Sequence, residues 1–140
     1  MAIKKIVKYG EATLRQPSKE VHKVSQKVKN LVQDMLDTMY VNNDVGLAAP
    51  QIGVLKKVIV VRNGDSFVPM INPTIIKRVG TKFLNKEGCL SLDGERTVCR
   101  YPSVMVSFTE RNGKKQIKTF NGFTSIIIQH ETDHLSGKLI

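Results

Sequence analysis

Residues 122–137 read GFTSIIIQHETDHLSG, and this stretch decides how the rest of the chain must fold. Inside it, His130, Glu131 and His134 spell H-E-x-x-H. On a helix, residues four apart sit one turn along the same face. Two imidazoles so placed can meet one metal ion, and the Glu between them can serve a water beside it. The same spacing also occurs on ordinary surface helices. The run ahead of the motif argues against that, because Phe123, Ile126, Ile127 and Ile128 make the helix enter it strongly apolar, which predicts burial. Buried, unpaired imidazoles are costly, and one cation satisfies both. The segment predicts a metal-dependent hydrolase built around a buried helix.

A catalytic site of this kind takes three protein ligands and keeps one position open. Only residues 135–140 follow His134, and none is a good ligand, so the third comes from upstream. His22, Cys89, Cys99 and several carboxylates are available. A thiolate suits zinc or ferrous iron. Cys89 stands in NKEGCLSLDG, between an apparent strand over 81–84 and a glycine-bearing turn. Cys99, in TVCRYP, reads as a strand residue and as a small buried hydrophobe.

Three segments stand in order along the chain: GLAAPQIG at 46–53, EGCLS at 87–91 and QHETDHLSG at 129–137. Together they resemble the three signature motifs of the peptide deformylases. IVKYGEATLR at 6–15, INP at 71–73 and the GFTSIIIQHE run extend the resemblance over nearly the whole chain. The resemblance implies an enzyme that removes the formyl group from N-formylmethionine of newly synthesised polypeptides, releasing formate and a free amine. It implies one divalent metal ion held by Cys89, His130 and His134, usually Fe²⁺, with Zn²⁺, Ni²⁺ or Co²⁺ as substitutes.

Glu131 is the candidate general base, taking a proton from the attacking water and passing it to the leaving amine. The oxyanion formed on attack needs fixed donors. The side-chain amide of Gln51 suits that task, and the resemblance adds the backbone N–H of Leu90. It also implies a buried charged network of Glu87, Arg100 and Asp133 behind the metal, in which the planar fork of Arg can serve two carboxylates. Matching Arg100 requires a one-residue gap in the loop 92–99, and the competing reading makes Arg100 and Asp133 solvated surface charges. Val45, Phe123, Ile126 and Ile127 flank the motifs as walls for a methionine side chain, with core packing the alternative for each. The Val45–Gly46 segment offers an edge for a peptide added as a strand.

The 140 residues predict a single domain over 1–140 with a real core. The pattern is mixed. Val28, Leu31, Val32, Met35, Leu36 and Met39 recur at helical spacing over 26–41, and Asn42, Asn43 and Asp44 end that helix. Residues 58–61 read as a buried strand. Val104, Val106 and Phe108 alternate, and a turn at 111–114 leads into 116–120, a hairpin signal. The order predicts an α+β fold. The resemblance adds antiparallel β-sheets packed around a central helix that carries the HExxH motif.

A net charge of +10 and a pI near 9.8 are compatible with transient ribosome association, or with solvated lysines alone. The chain has no Trp and no basic motif with interleaved aromatics, so no specific nucleic-acid partner is expected. It shows no secretion signal and no apolar run of membrane-spanning length, so no membrane partner is expected and a bacterial, cytoplasmic location is. Two Cys without such a signal point to a reducing compartment.

Two departures from the family pattern stand out. The sequence stops at Ile140, without the further C-terminal helix of many relatives, and the segment after EGCLS lacks the Pro often found there. Two rival functions are a metallo-endopeptidase, which the position of Cys89 disfavours, and a catalytically dead basic module on ribosomes or RNA. Retention of Gln51, Cys89, His130, Glu131 and His134 together disfavours the second.

Overall fold

The computed structural model describes residues 3–8, 12–89, 91–138 and 140. The first long helix, α1 (Gln26–Asn42), begins where the Ser25 hydroxyl accepts the N–H of Val28 at 3.4 Å. It stops at Asn43, whose φ of 51° is the left-handed cap that Asn tolerates. Its buried stripe is Val28, Val32, Met35 and Met39. Seven strands follow: β1 (Gly46–Ala48), β2 (Val58–Asn63), β3 (Ser66–Val79), β4 (Phe83–Cys89), β5 (Leu92–Arg100), β6 (Ser103–Thr109) and β7 (Lys115–Asn121). The second helix, α2 (Gly122–Leu135), closes the chain and carries His130, Glu131 and His134.

The strands form two antiparallel sheets, a five-stranded one in the order β1-β2-β3-β6-β7 and a two-stranded one of β4 and β5. The larger sheet is covered on both faces at β1, β2 and the adjoining part of β3, while β6 and β7 are covered on the α2 face alone. Leu47, Val58, Val60 and Ile71 pack with the α1 stripe. Ala48, Ile59, Val61, Met70, Val104, Val106, Phe108 and Phe120 pack with Ile127, Ile128 and Leu135 of α2. That is why β2 reads as four apolar residues in a row instead of alternating. The fold is thus α+β with antiparallel sheets around the HExxH helix, as the sequence predicts.

Several local expectations change. The strand expected over 81–84 runs from Phe83 to Cys89, so Cys89 ends a strand. Residues 92–99, expected as a loop, form β5, which folds straight back on β4; a register shift between Gly88 and Cys89 lets Cys89 pair Leu92. Cys99 is a strand residue but an exposed one, opposite Leu84, which is 71% exposed, because the two-stranded sheet leaves that face open. The start of α2 is not fully buried either: Phe123 is 64% exposed and Ile126 half-buried, and unbroken burial begins at Ile127, after an isolated buried Ser125.

One polar clamp and one close backbone approach fix how α2 sits. The Gln129 side chain accepts the N–H of Tyr101 at 2.9 Å and donates to its C=O at 2.8 Å, imitating a strand pair. Gly137, at φ +80°, ends the helix where a Cβ would lie 2.6 Å from the Arg15 carbonyl oxygen. Ile128 is fully buried between helix and sheet. Its replacement by Ala is expected to cost about 2–5 kcal/mol of stability, read as a lower denaturant midpoint with unchanged slope.

Candidate metal centre and catalytic cavity

The last residue of β4 meets one turn of α2. Cys89 Sγ lies 3.3 Å from His134 Nε2, which lies 3.2 Å from His130 Nε2. The three donor atoms all fall within 4.8 Å of one another. Metal–nitrogen bonds of about 2.0–2.1 Å and metal–sulfur bonds of about 2.3 Å imply donor–donor edges of roughly 3.3–3.6 Å in a tetrahedron. The contacts of 3.3 and 3.2 Å are of that size, so the three residues suit ligands of one ion. His22 is exposed and stands outside this group.

The surroundings of the rings favour a cation. His130 Nδ1 donates to Glu87 Oε1 at 2.7 Å, which leaves its Nε2 lone pair for the cluster. Burial opposes a charge on His130, but the Cys89 sulfur and the carboxylates of Glu87 and Glu131 overcome it and raise its pKa to about 10. His134 beside it goes the other way, down to about 3, through burial and the charge on His130. Its Nδ1 is buried without a partner in hydrogen-bond distance, although the Lys138 backbone favours its proton. Without an ion the raised pKa puts a proton on the His130 nitrogen that faces the sulfur, and an ion held there would replace that proton and free the lone pair.

Behind the rings, Arg100 is 4% exposed and lies between two carboxylates. Its Nε and Nη2 both donate to Glu87 at 2.8 Å, and its Nη1 donates to Asp133 at 2.7 Å. The surface-charge reading of Arg100 fails on this geometry. Asn85, which sequence reasoning did not single out, adds a fourth donor to Glu87 at 2.9 Å.

In front of the rings, Gln51 is 2% exposed. Its Oε1 accepts from Ala48 N–H at 2.9 Å, so its amide nitrogen faces the sulfur of Cys89 at 3.3 Å and the hydroxyl of Ser91 at 3.4 Å. Ser91 also gives its N–H to the sulfur at 3.4 Å. Its place inside EGCLS was the only sequence signal for that role. Leu90 lies outside the described residues.

Glu131 is 5% exposed, and its Oε1 has no partner. Burial, with help from Asp44 and Glu87 and against His130 and Arg100, pushes its carboxyl up to about 8. A cation beside it would draw that value down. Gly46 is what lets Glu131 approach β1: a Cβ there would lie 2.6 Å from Glu131 Oε2 and from Ile127 Cγ2. Val45, Gly46, Phe123, Ile126 and Ile127 line a cavity of about 210 Å³ that opens onto Cys89, His130 and Glu131. Phe123 stands at its mouth, while Ile127 is also part of the core under the sheet.

The network generates two expectations. Replacing Arg100 by Met strands Glu87 and Asp133 and is expected to cost about 3–5 kcal/mol, read from denaturant unfolding. Glu87 is held down to about 2 from an ordinary 4.5; burial works against this, and the His130, Arg100 and Asn85 donors outweigh it. A folded value below the unfolded one means stabilisation that is complete above the unfolded value and is lost as pH falls through the folded one. Stability should therefore drop between about pH 4.5 and pH 2, and Glu87→Gln should flatten that drop. Equal slopes for the two proteins across this window would assign the acid sensitivity elsewhere.

The comparisons with known proteins agree with this geometry. The family profile described as polypeptide deformylase matches residues 3–140. A peptide deformylase of Acetivibrio thermocellus is 40% identical over 140 residues, covering 99% of this chain and 82% of the relative. One from Pelotomaculum thermopropionicum is 43% identical, covering 99% and 90%. Among solved structures, the peptide deformylase of Ehrlichia chaffeensis in complex with actinonin superposes with a TM-score of 0.94 at 34% identity, covering 99% of this chain and 87% of that one. The Met-Ala-Ser-bound class I type b peptide deformylase of Acinetobacter baumannii gives 0.93 at 33% identity, covering 99% and 97%. With the profile spanning all but the first two residues, and with relatives above 40% identity over nearly their full length, the chain belongs to the polypeptide deformylase family.

Proposed function

We propose that this chain removes the formyl group from N-formylmethionyl nascent peptides, as a single catalytic domain over 1–140 that uses a divalent ion held by Cys89, His130 and His134. The observation that carries the reading is the meeting of those three donors beside the unpartnered carboxyl of Glu131, at the floor of an apolar cavity. When bound, the ion supplies Lewis acidity and activates water for attack.

The chain's own residues then divide the work. Glu131 takes the proton of the attacking water as its oxygen bonds to the formyl carbon. The same carboxyl returns a proton to the nitrogen as the C–N bond breaks, so formate and a free amine leave. The amide nitrogen of Gln51, held by the Ala48 N–H, donates to the oxygen on which charge develops; the Leu90 N–H is the second donor. Glu87, Arg100 and Asp133 keep the His130 ring turned. The outer edge of β1, at Val45 and Gly46, receives the peptide as an added strand, and Ile126, Ile127 and Phe123 take up the methionine side chain.

A donor set of one thiolate and two imidazoles suits Fe²⁺, our proposed native ion, and also Zn²⁺, Ni²⁺ or Co²⁺ in preparations. No helix among the described residues is long and apolar enough to cross a membrane. A bacterial cytoplasm would keep the Cys89 thiol reduced, and the charge of +10 supports transient contact with the ribosome.

The test is formate release from formyl-Met peptides by anaerobically purified protein, with metal analysis of the same sample. Unformylated peptides should not be cleaved; their cleavage would favour an endopeptidase. Glu131→Ala should keep the metal and lose about 10²–10⁴-fold in turnover. Gln51→Leu should lose about 10²–10³-fold. Near-normal rates in either variant would remove that residue from the mechanism.

A further inference from the structure

Ser91 stands two residues past the end of β4 and is 1% exposed, yet none of the roles above uses its hydroxyl. Burying a hydroxyl is costly unless it is bonded. Among the described residues its Oγ has one partner, Gln51 Nε2, at 3.4 Å. A bond of that length returns little stability. The hydroxyl is therefore poorly explained as a support for the fold, and its one partner is the amide that faces the donor cluster.

We propose that Ser91 is a positioning residue, which holds the Gln51 amide in the orientation that stabilising the oxyanion requires. This rests on the deformylase reading of the cavity. The amide is held at both ends. Its oxygen accepts the Ala48 N–H at 2.9 Å, which decides where the nitrogen lies. That nitrogen carries two hydrogens and meets two acceptors, the Cys89 sulfur at 3.3 Å and the Ser91 oxygen. The hydrogen toward the sulfur points at the donor cluster, beside which the formyl oxygen takes up charge. The hydrogen toward Ser91 fixes the twist of the amide plane, a torsion that is otherwise broad for Gln. Without that second hold the plane swings about its Ala48 anchor, and a donor that must be turned into place loses the advantage of being set beforehand. The Ser91 N–H donates to the same sulfur at 3.4 Å, so the backbone that carries the hydroxyl is itself tied to the centre.

The experiment measures kcat and KM for formyl-Met-Ala-Ser on the metal-loaded protein, on Ser91→Ala, Ser91→Thr and Gln51→Leu, and on the double variant Ser91→Ala with Gln51→Leu. Metal content and denaturant midpoint are read for each. The Gln51 side-chain N–H signals, assigned by their loss in Gln51→Leu, are followed by proton–nitrogen NMR on the zinc-loaded protein. Ser91→Ala should lower kcat about five- to thirtyfold, short of the roughly 10²–10³-fold that removing a donor costs. KM, metal content and midpoint should hold, and Ser91→Thr should recover most of kcat. Because Ser91 acts through Gln51, the two losses should not multiply in the double variant. The Gln51 signals should shift in Ser91→Ala and exchange faster with solvent. An unchanged kcat in Ser91→Ala, losses that multiply, unmoved Gln51 signals, or a fall in kcat matched by loss of metal overturns the proposal. Should Ser91→Ala fail to fold, Ser91→Gly, which also lacks the hydroxyl, is judged by the same outcomes. Failure of the unsubstituted protein to release formate overturns the deformylase reading and this one with it; the other adverse outcomes, with formate released, overturn this one alone.

Discussion

Glu87 is gripped from three elements at once, and the site hangs on that grip. Arg100 at the end of β5 donates to it twice, Asn85 on its own strand once, and His130 on α2 once. Because Arg100 also reaches Asp133, one guanidinium ties the two-stranded sheet to the helix. Strand and helix periods explain why so few residues suffice. Glu87 and Cys89 are two apart on β4 and share a face, so the carboxylate that orients a ring and the sulfur that would meet it arrive together. His130, Asp133 and His134 share a face of α2 at offsets of three and four.

The helix bearing this face is an unlikely core element on composition alone. Gln129, His130, Glu131 and His134 are all buried among Ile127, Ile128 and Leu135. Burying polar groups is tolerable only when they are satisfied. Gln129 is satisfied by the Tyr101 backbone and His130 by Glu87. Satisfaction stops at Glu131 Oε1 and His134 Nδ1, which have no partners. Both belong to the pair of residues closest to the proposed chemistry. Within this helix polar accounting, with no appeal to relatives, points to the same place as the motif; off the helix, Ser18 Oγ is likewise buried without a partner.

The sequence made the centre legible and its frame less so. H-E-x-x-H on an apolar run pointed to His130, Glu131 and His134 by spacing alone, whereas Cys89, Gln51 and the Arg100 network were named only through the resemblance that EGCLS and GLAAPQIG complete. The β4–β5 hairpin was not legible in the same way. Residues 92–99 mix Gly, Glu, Arg and Thr without strict alternation, since a two-stranded sheet with an open face imposes no burial pattern. For the same reason Cys99 looked like core and is exposed. Ser91 could not be ranked by type, because a Ser two residues past a Cys is commonplace; only its distances to Gln51 and Cys89 single it out.

That open hairpin has a further consequence for how the centre holds together. Two strands alone are marginal in water, and β4 and β5 leave Leu84 largely and Phe83 partly exposed. Their hold on the rest of the protein is polar, through Arg100, Glu87 and the contacts of Cys89 with Gln51 and His134. Apart from the Arg100–Asp133 pair behind the rings, those contacts end on Cys89, His130 or His134, the group that would surround an ion. Ligand binding that favours the closed arrangement over an opened one stabilises it by mass action, and an ion bridging Cys89 to two histidines of α2 is such a ligand. The element that contributes the sulfur is therefore the element whose docking the ion would reinforce, whereas the two histidines rest on a core that stands without it.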